Sequence, residues 1–155
     1  MATLIQGIGV GKEGKIRASS LVAIFNADHT KILLTRRQDN GRFCLPGGGI
    51  EPGESAAQAG VREVKEEVGL DVQITKLVGV YSSPDYLIHY ADGNQYQYVS
   101  MLFEASIIGG KLGLSDEVSE NQWFTLDELK EVDIMEHQVG RIMDAFAFQE
   151  AAFIK

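Results

Sequence analysis

The chain changes its hydrophobic period once, and that change limits what it can fold into. Between residues 54 and 69 the apolar side chains Ala57, Val61, Val64 and Val68 recur at steps of three and four, the spacing of one helix face. Ser55 stands near the start as a cap, and Gly69 stands where such a helix would stop. Most of what surrounds it reads as strand. Residues 21–25 form an apolar, β-branched run, residues 26–29 are turn chemistry, and residues 31–36 are extended again, so the pattern predicts a hairpin. Further strands are predicted over 72–81 and 96–107, separated by Ser82-Ser83-Pro84 and by the turn signal Asp92-Gly93-Asn94. Thr125 is placed to cap a short helix carrying Leu126, Leu129 and Val132, and residues 136–153 predict a longer closing helix. The start, with Gly7, Gly9, Gly11 and Gly14, predicts an irregular or edge strand. Strands and helices mix without regular alternation, which argues for an α/β fold with a mixed sheet and helices packed on it.

Composition narrows the partners. A length of 155 residues with 45% hydrophobic and 23% charged side chains suits one domain, read here as residues 1–155, and excludes a disordered or rod-like chain. The 14 basic against 22 acidic residues give a net charge of -8, the wrong sign for attraction to a nucleic-acid backbone or an anionic membrane. A single cysteine, Cys44, excludes an internal disulfide and reads as a small buried hydrophobe. No signal-like or membrane-length apolar run is present, so the chain reads as cytoplasmic.

The helix carries the chemistry. Glu63, Glu66 and Glu67 fall at i, i+3 and i+4, which sets three carboxylates on one face. Like charges at that spacing cost a few tenths of a kcal/mol, so such a cluster is either an indifferent solvated face or one that receives a cation. Hard divalent ions take oxygen ligands and share substrate phosphates, which suits carboxylates on a rigid element beside the loop Pro46-Gly47-Gly48-Gly49.

Loop and helix together decide between these readings. Gly48, then five residues, Glu54, then seven residues, and Arg62-Glu63-Val64-x-Glu66-Glu67-x-Gly69-Leu70 match every specified position of the Nudix signature. On these residues the chain is identified as a member of the Nudix hydrolase family. The resemblance implies a Nudix-type α/β/α sandwich around a mixed sheet, with a loop-helix-loop platform for Mg²⁺ or Mn²⁺. It implies hydrolysis of a nucleoside diphosphate linked to another moiety, by attack of water at phosphorus. Glu63, Glu66 and Glu67 resemble the family's metal ligands, and the Gly47 carbonyl resembles a further one. Arg62 is similar to the arginine that orients those carboxylates, and Glu54 resembles a supporting or accessory metal partner. Glu117, shortly before Trp123, resembles a loop glutamate that serves as base or extra ligand, whereas Asp116 and Glu120 read as solvated charges.

Other site residues are inferred more locally. Arg36 and Arg37 are neighbours on one strand and face opposite sides, so one of them can contact substrate, and Arg37 is the expected one. Phe43, Tyr81, Tyr86 and Tyr96 offer faces on which a base could stack, against the alternative of core packing. His89 and His137 read as surface or packing residues. The stripe Ile142, Ala145, Phe146 and Phe153 reads as core, with a homodimer contact as its alternative. Pro84 and Tyr86 follow Leu70 by fourteen and sixteen residues. In the family such markers point to ADP-ribose and to dinucleoside polyphosphates respectively, so they conflict. ADP-ribose or a nucleotide sugar is favoured, nucleoside triphosphates and dinucleoside polyphosphates are alternatives, and a non-catalytic nucleotide sensor would be expected to lack a carboxylate that is present here. An isomerase on the same scaffold would need additional Cys and Glu residues that are not seen.

Overall fold

The computed structural model describes residues 2–155. In chain order the strands are β1 (Thr3–Gln6), β2 (Lys15–Ile24), β3 (Lys31–Arg37), β4 (Phe43–Cys44) and β5 (Gly47–Gly49). Helix α1 (Ala56–Val68) follows, then β6 (Leu70–Tyr81), β7 (Tyr86–His89), β8 (Gln95–Gly110), β9 (Val118–Thr125), helix α2 (Glu136–Phe146) and β10 (Phe153–Ile154). Helix α1 begins where its cap chemistry places it. Ser55 accepts from the Gln58 amide, and the Gln58 side chain reaches back to the Ser55 amide, a reciprocal capping box. It ends at Gly69, whose amide donates to the Lys65 carbonyl.

Two sheets form. The larger has seven strands, with β8 at its centre. On one side β8 pairs in parallel with β2, which pairs antiparallel with β5. On the other side it pairs antiparallel with β7 and then β6, and β1 and β10 complete the edges. The smaller sheet has the order β4-β3-β9. The large sheet is therefore mixed and covered on both faces. Val22, Ile24, Val64, Val68, Leu70 and Val72 join one face to α1. Leu21, Ala23, Leu34, Leu102, Phe124 and Ile142 join the other to the small sheet and α2. Alternation along β2 supplies both cores from one strand. The result is the expected α/β/α sandwich.

Three local expectations change. Residues 21–36 do not form a hairpin. Only Phe25 and Ile32 make an isolated bridge, because both flanks of β2 are taken by β5 and β8 and β3 leaves for the other sheet. The turn between them is still set locally, with the Asn26 side-chain oxygen accepting from the amides of Thr30 and Lys31. The closing helix stops at Phe146 rather than running to Phe153. Phe146 and Phe148 both turn onto Phe25, at centroid distances of 5.1 and 4.9 Å, and Phe153 pairs as strand with Gly79. The short helix after Thr125 is a single 3₁₀ turn, Glu128–Glu131, that buries Leu129. Ile142 and Ala145 are buried in the core, as the stripe predicts. Among the described residues no helix is long and apolar enough to cross a membrane.

Candidate active site

Strand β5 carries the glycine loop back along β2, and α1 then crosses beside it, which brings Gly47 to Gly49 against the acidic face of the helix. A Cβ on Gly48 would lie 2.5 Å from a Glu63 carboxylate oxygen, so the bare backbone is what lets that carboxylate lie against the loop. Gly47 donates its amide to Glu67 at 3.0 Å.

Arg62 organises the platform. Its guanidinium grips Glu54 bidentately at 3.0 and 2.7 Å, donates to Glu63 at 2.9 Å and Glu66 at 3.2 Å, and caps the Gly49 carbonyl at 3.1 Å. A planar fork can hold this many acceptors in fixed directions, which a lysine could not. The Arg62 hydrogen bonds hold the Glu54 carboxyl down at about 2, with the Glu51 amide assisting. Glu54 is thereby placed as Arg62's partner and does not line the cleft described below.

The other carboxylates are poised oppositely. Burial pushes Glu67 up to about 8, against the pull of the Gly47 amide, and the charges of Glu63 and Glu117 add to the rise. Burial also raises Glu63, with Arg62 opposing it. Acidic groups are thus gathered where burial opposes their charged forms until a counter-charge arrives. Among the described residues no three acidic side chains already converge on one point. Arg62 draws Glu63 and Glu66 to itself, and Glu66 remains 59% exposed. The donor set is nevertheless all oxygen, partly buried and in excess of its counter-charge, which suits a hard divalent cation.

Glu63, Glu66, Glu67 and Glu117 are among the residues lining a cleft of about 650 Å³. The large sheet contributes Ser19, Leu21, Tyr81, Tyr98 and Ser100 to this cleft, and α2 contributes His137, Gln138 and Arg141. Arg37 and Tyr86 line it as well. Arg37 is held by Asp39 at 2.8 and 2.9 Å. Its neighbour Arg36 faces away, over Phe43 and against Glu120.

Phe43 is not in the cleft. It is 4% exposed and meets Phe124 edge-on, because β4 pairs inside the small sheet and turns the ring into the core. Tyr81 reaches the cleft but is nearly buried, with its hydroxyl donating to Asp144 at 2.9 Å. Tyr96 packs against Tyr90 and under Arg17 and does not line the cleft. Cys44 is buried beside the loop, and burial pushes its thiol up to about 11, consistent with an inert hydrophobe. Residues of the cleft that the sequence does not single out include Arg17, Tyr98 and Arg141. Each sits in an ordinary strand or helix pattern, and only the folding of β2, β8 and α2 against one another brings them to the site.

The model of the NUDIX domain matches residues 15–146. The chain belongs to the Nudix family. The chain is 42% identical over 102 residues to an ADP-ribose pyrophosphatase of Methanocaldococcus jannaschii, a match covering 64% of this chain and 57% of that relative. The chain therefore spans little more than half of the archaeal protein it resembles. A MutT-like protein of Streptomyces ambofaciens is 31% identical over 84% of this chain and 77% of its own. Among solved structures, an ADP-ribose pyrophosphatase from Streptococcus suis superposes with a TM-score of 0.67 at 25% identity, over 89% of this chain and 96% of its own.

His137 gives this Nudix cleft a measurable pH signature. Burial, with Arg141 nearby, pulls its pKa from 6.5 down to about 4, and its buried Nδ1 has no partner among the described residues. A histidine lowered in the fold is neutral there, while the unfolded chain gains a proton below pH ~6.5, so stability falls as pH drops from there towards 4. Between pH 7 and 4.5 the parent is expected to lose about 2 kcal/mol more than His137→Gln, read from urea midpoints at the two pH values. Equal losses would show that His137 does not carry this term.

Proposed function

We propose that the protein is a divalent-metal-dependent pyrophosphohydrolase that cleaves a nucleoside diphosphate joined to another group, by attack of water at phosphorus. The observation that carries this reading is the acidic platform of Glu63, Glu66 and Glu67 in a cleft that tyrosines and arginines also line. That arrangement suits a ligand with a phosphate end and a stacking end.

Glu63, Glu66 and Glu67, with the Gly47 carbonyl as a further donor, are the residues we assign to hold Mg²⁺ or Mn²⁺. When bound, the cation would neutralise charge on phosphate oxygens and lower the pKa of water. The chain's own residues do the rest. Arg62 keeps the carboxylates oriented, and its bidentate grip on Glu54 fixes Arg62 in turn. Glu117, on the loop before β9 and close enough to raise Glu63 and Glu67, is our candidate to take the proton from the attacking water. Arg37, held by Asp39, is our candidate to meet a phosphate or ribose, and Tyr86 our candidate to meet a ring.

The archaeal relative's name supports ADP-ribose or a nucleotide sugar as the substrate class. The test is kcat/KM for ADP-ribose, nucleotide sugars, dinucleoside polyphosphates and nucleoside triphosphates, each with Mg²⁺ and with EDTA. The expected result is highest efficiency with ADP-ribose or a nucleotide sugar and a loss of at least ~10²-fold in EDTA. Undiminished activity in EDTA removes the metal claim, and binding without turnover of any compound makes the protein a sensor.

A further inference from the structure

Arg141 is an arginine without a counter-charge. Four other arginines in or beside the site are paired: Arg36 with Glu120, Arg37 with Asp39, Arg42 with Asp133 and Glu136, and Arg62 with three glutamates. Among the described residues no carboxylate oxygen lies within 4.0 Å of Arg141. Arg17 also lacks one, but it is exposed on β2, where water compensates it. Arg141 is partly buried in the cleft wall, and burial brings its guanidinium down to about 10.

Local sequence offers Arg141 a partner that the fold takes away. Asp144 lies three residues on along α2, a spacing at which a carboxylate and a guanidinium commonly meet. In the structure Asp144 is engaged instead by the Lys155 ammonium at 2.8 Å and the Tyr81 hydroxyl at 2.9 Å. Four residues back stands His137, which is neutral in the fold. The guanidinium carbon lies over the Tyr81 ring, 5.3 Å from the centroid, and among the described residues its N–H groups donate to no protein acceptor. A desolvated cation without a carboxylate is costly unless a ligand supplies the charge.

We propose that Arg141 binds a phosphoryl group of the nucleotide that enters the cleft, from α2 and apart from the carboxylates of α1. The proposal rests on the nucleotide-cleft reading above and names the residue that recognises phosphate without the cation. A guanidinium presents two parallel donors to two phosphate oxygens, and charge-assisted bonds of this kind are worth enough to make ~10–100-fold in affinity.

The test is calorimetric titration in EDTA, where turnover plays no part, with AMP, GMP and UMP and with the matching nucleosides. The parent is expected to bind at least one mononucleotide ~10–100-fold more tightly than its nucleoside, and Arg141→Gln to abolish that difference while changing nucleoside affinity less than ~3-fold. Arg141→Lys is expected to restore part of it as a point charge, and Arg141→Met keeps the packing of the stem should the Gln variant fold poorly. Equal losses for mononucleotide and nucleoside would mean that Arg141 reads the base or only packs, and either that result or a parent blind to the phosphate overturns the proposal. A phosphate preference that depends on Arg141 in a chain that hydrolyses none of the panel would sustain this inference while the hydrolase reading fails.

Discussion

Glu67→Gln is expected to lower turnover by on the order of 10²–10⁴ with the fold intact. The substitution removes the capacity to carry a charge and almost nothing else. The amide oxygen of glutamine can still accept from Gly47, which donates to Glu67 at 3.0 Å, so the loop and helix stay joined. Burial already opposes the charged form of Glu67, so a neutral amide at this position is not expected to lower the melting temperature. Activity and stability therefore part company in this variant, which is the pattern of a residue kept for chemistry. The checks are kcat with saturating Mg²⁺ and thermal unfolding in EDTA. Turnover within tenfold of the parent would remove Glu67 from the metal site. A collapse of stability would instead make the carboxylate a structural member of the loop.

The site divides by how far apart its parts lie in sequence. Glu63, Glu66, Glu67 and Arg62 lie within two turns of one helix, and their common face follows from 3.6 residues per turn. Helix α1 was legible because its cap, its stop and its apolar stripe are all local. What was not legible depends on tertiary competition. Residues 21–36 carry every local sign of a hairpin, yet the Pro46–Gly49 segment occupies the flank of β2 that β3 would need. No glycine or proline follows Phe146 to mark the end of α2. The helix stops where Phe148 takes a left-handed φ of 48° and the rings of Phe146 and Phe148 close on Phe25. Phe43 looked like a stacking face because it precedes the glycine loop, but the pairing of β4 with β3 turns it inward. Arg141 could not be distinguished from a solvated helix charge, since its lack of a partner depends on Lys155 and Tyr81 reaching Asp144 first.

Gly47 and Gly48 are adjacent, and alanine at each is expected to fail in a different way. Gly47 has φ of 143°, a backbone that alanine avoids, and a Cβ there would lie 2.2 Å from the Ser20 carbonyl oxygen and 2.8 Å from the Leu21 Cα. Both obstacles are backbone, so β2 and β5 would have to part. Gly47→Ala is expected to cost on the order of 3–5 kcal/mol, a large share of the ~5–15 kcal/mol that holds a domain together, and to lose activity with stability. At Gly48 the backbone is ordinary and the obstacle is the Glu63 carboxylate at 2.5 Å, the end of a side chain that can swing away. Gly48→Ala is therefore expected to cost less than ~1 kcal/mol in stability yet ~10²-fold in kcat, because Glu63 is displaced from the cleft by about the width of a methyl group. Urea midpoints and kcat measured on both variants separate the two cases. If Gly48→Ala keeps full activity, Glu63 need not lie against the loop during turnover, and the platform must be set by Arg62 alone.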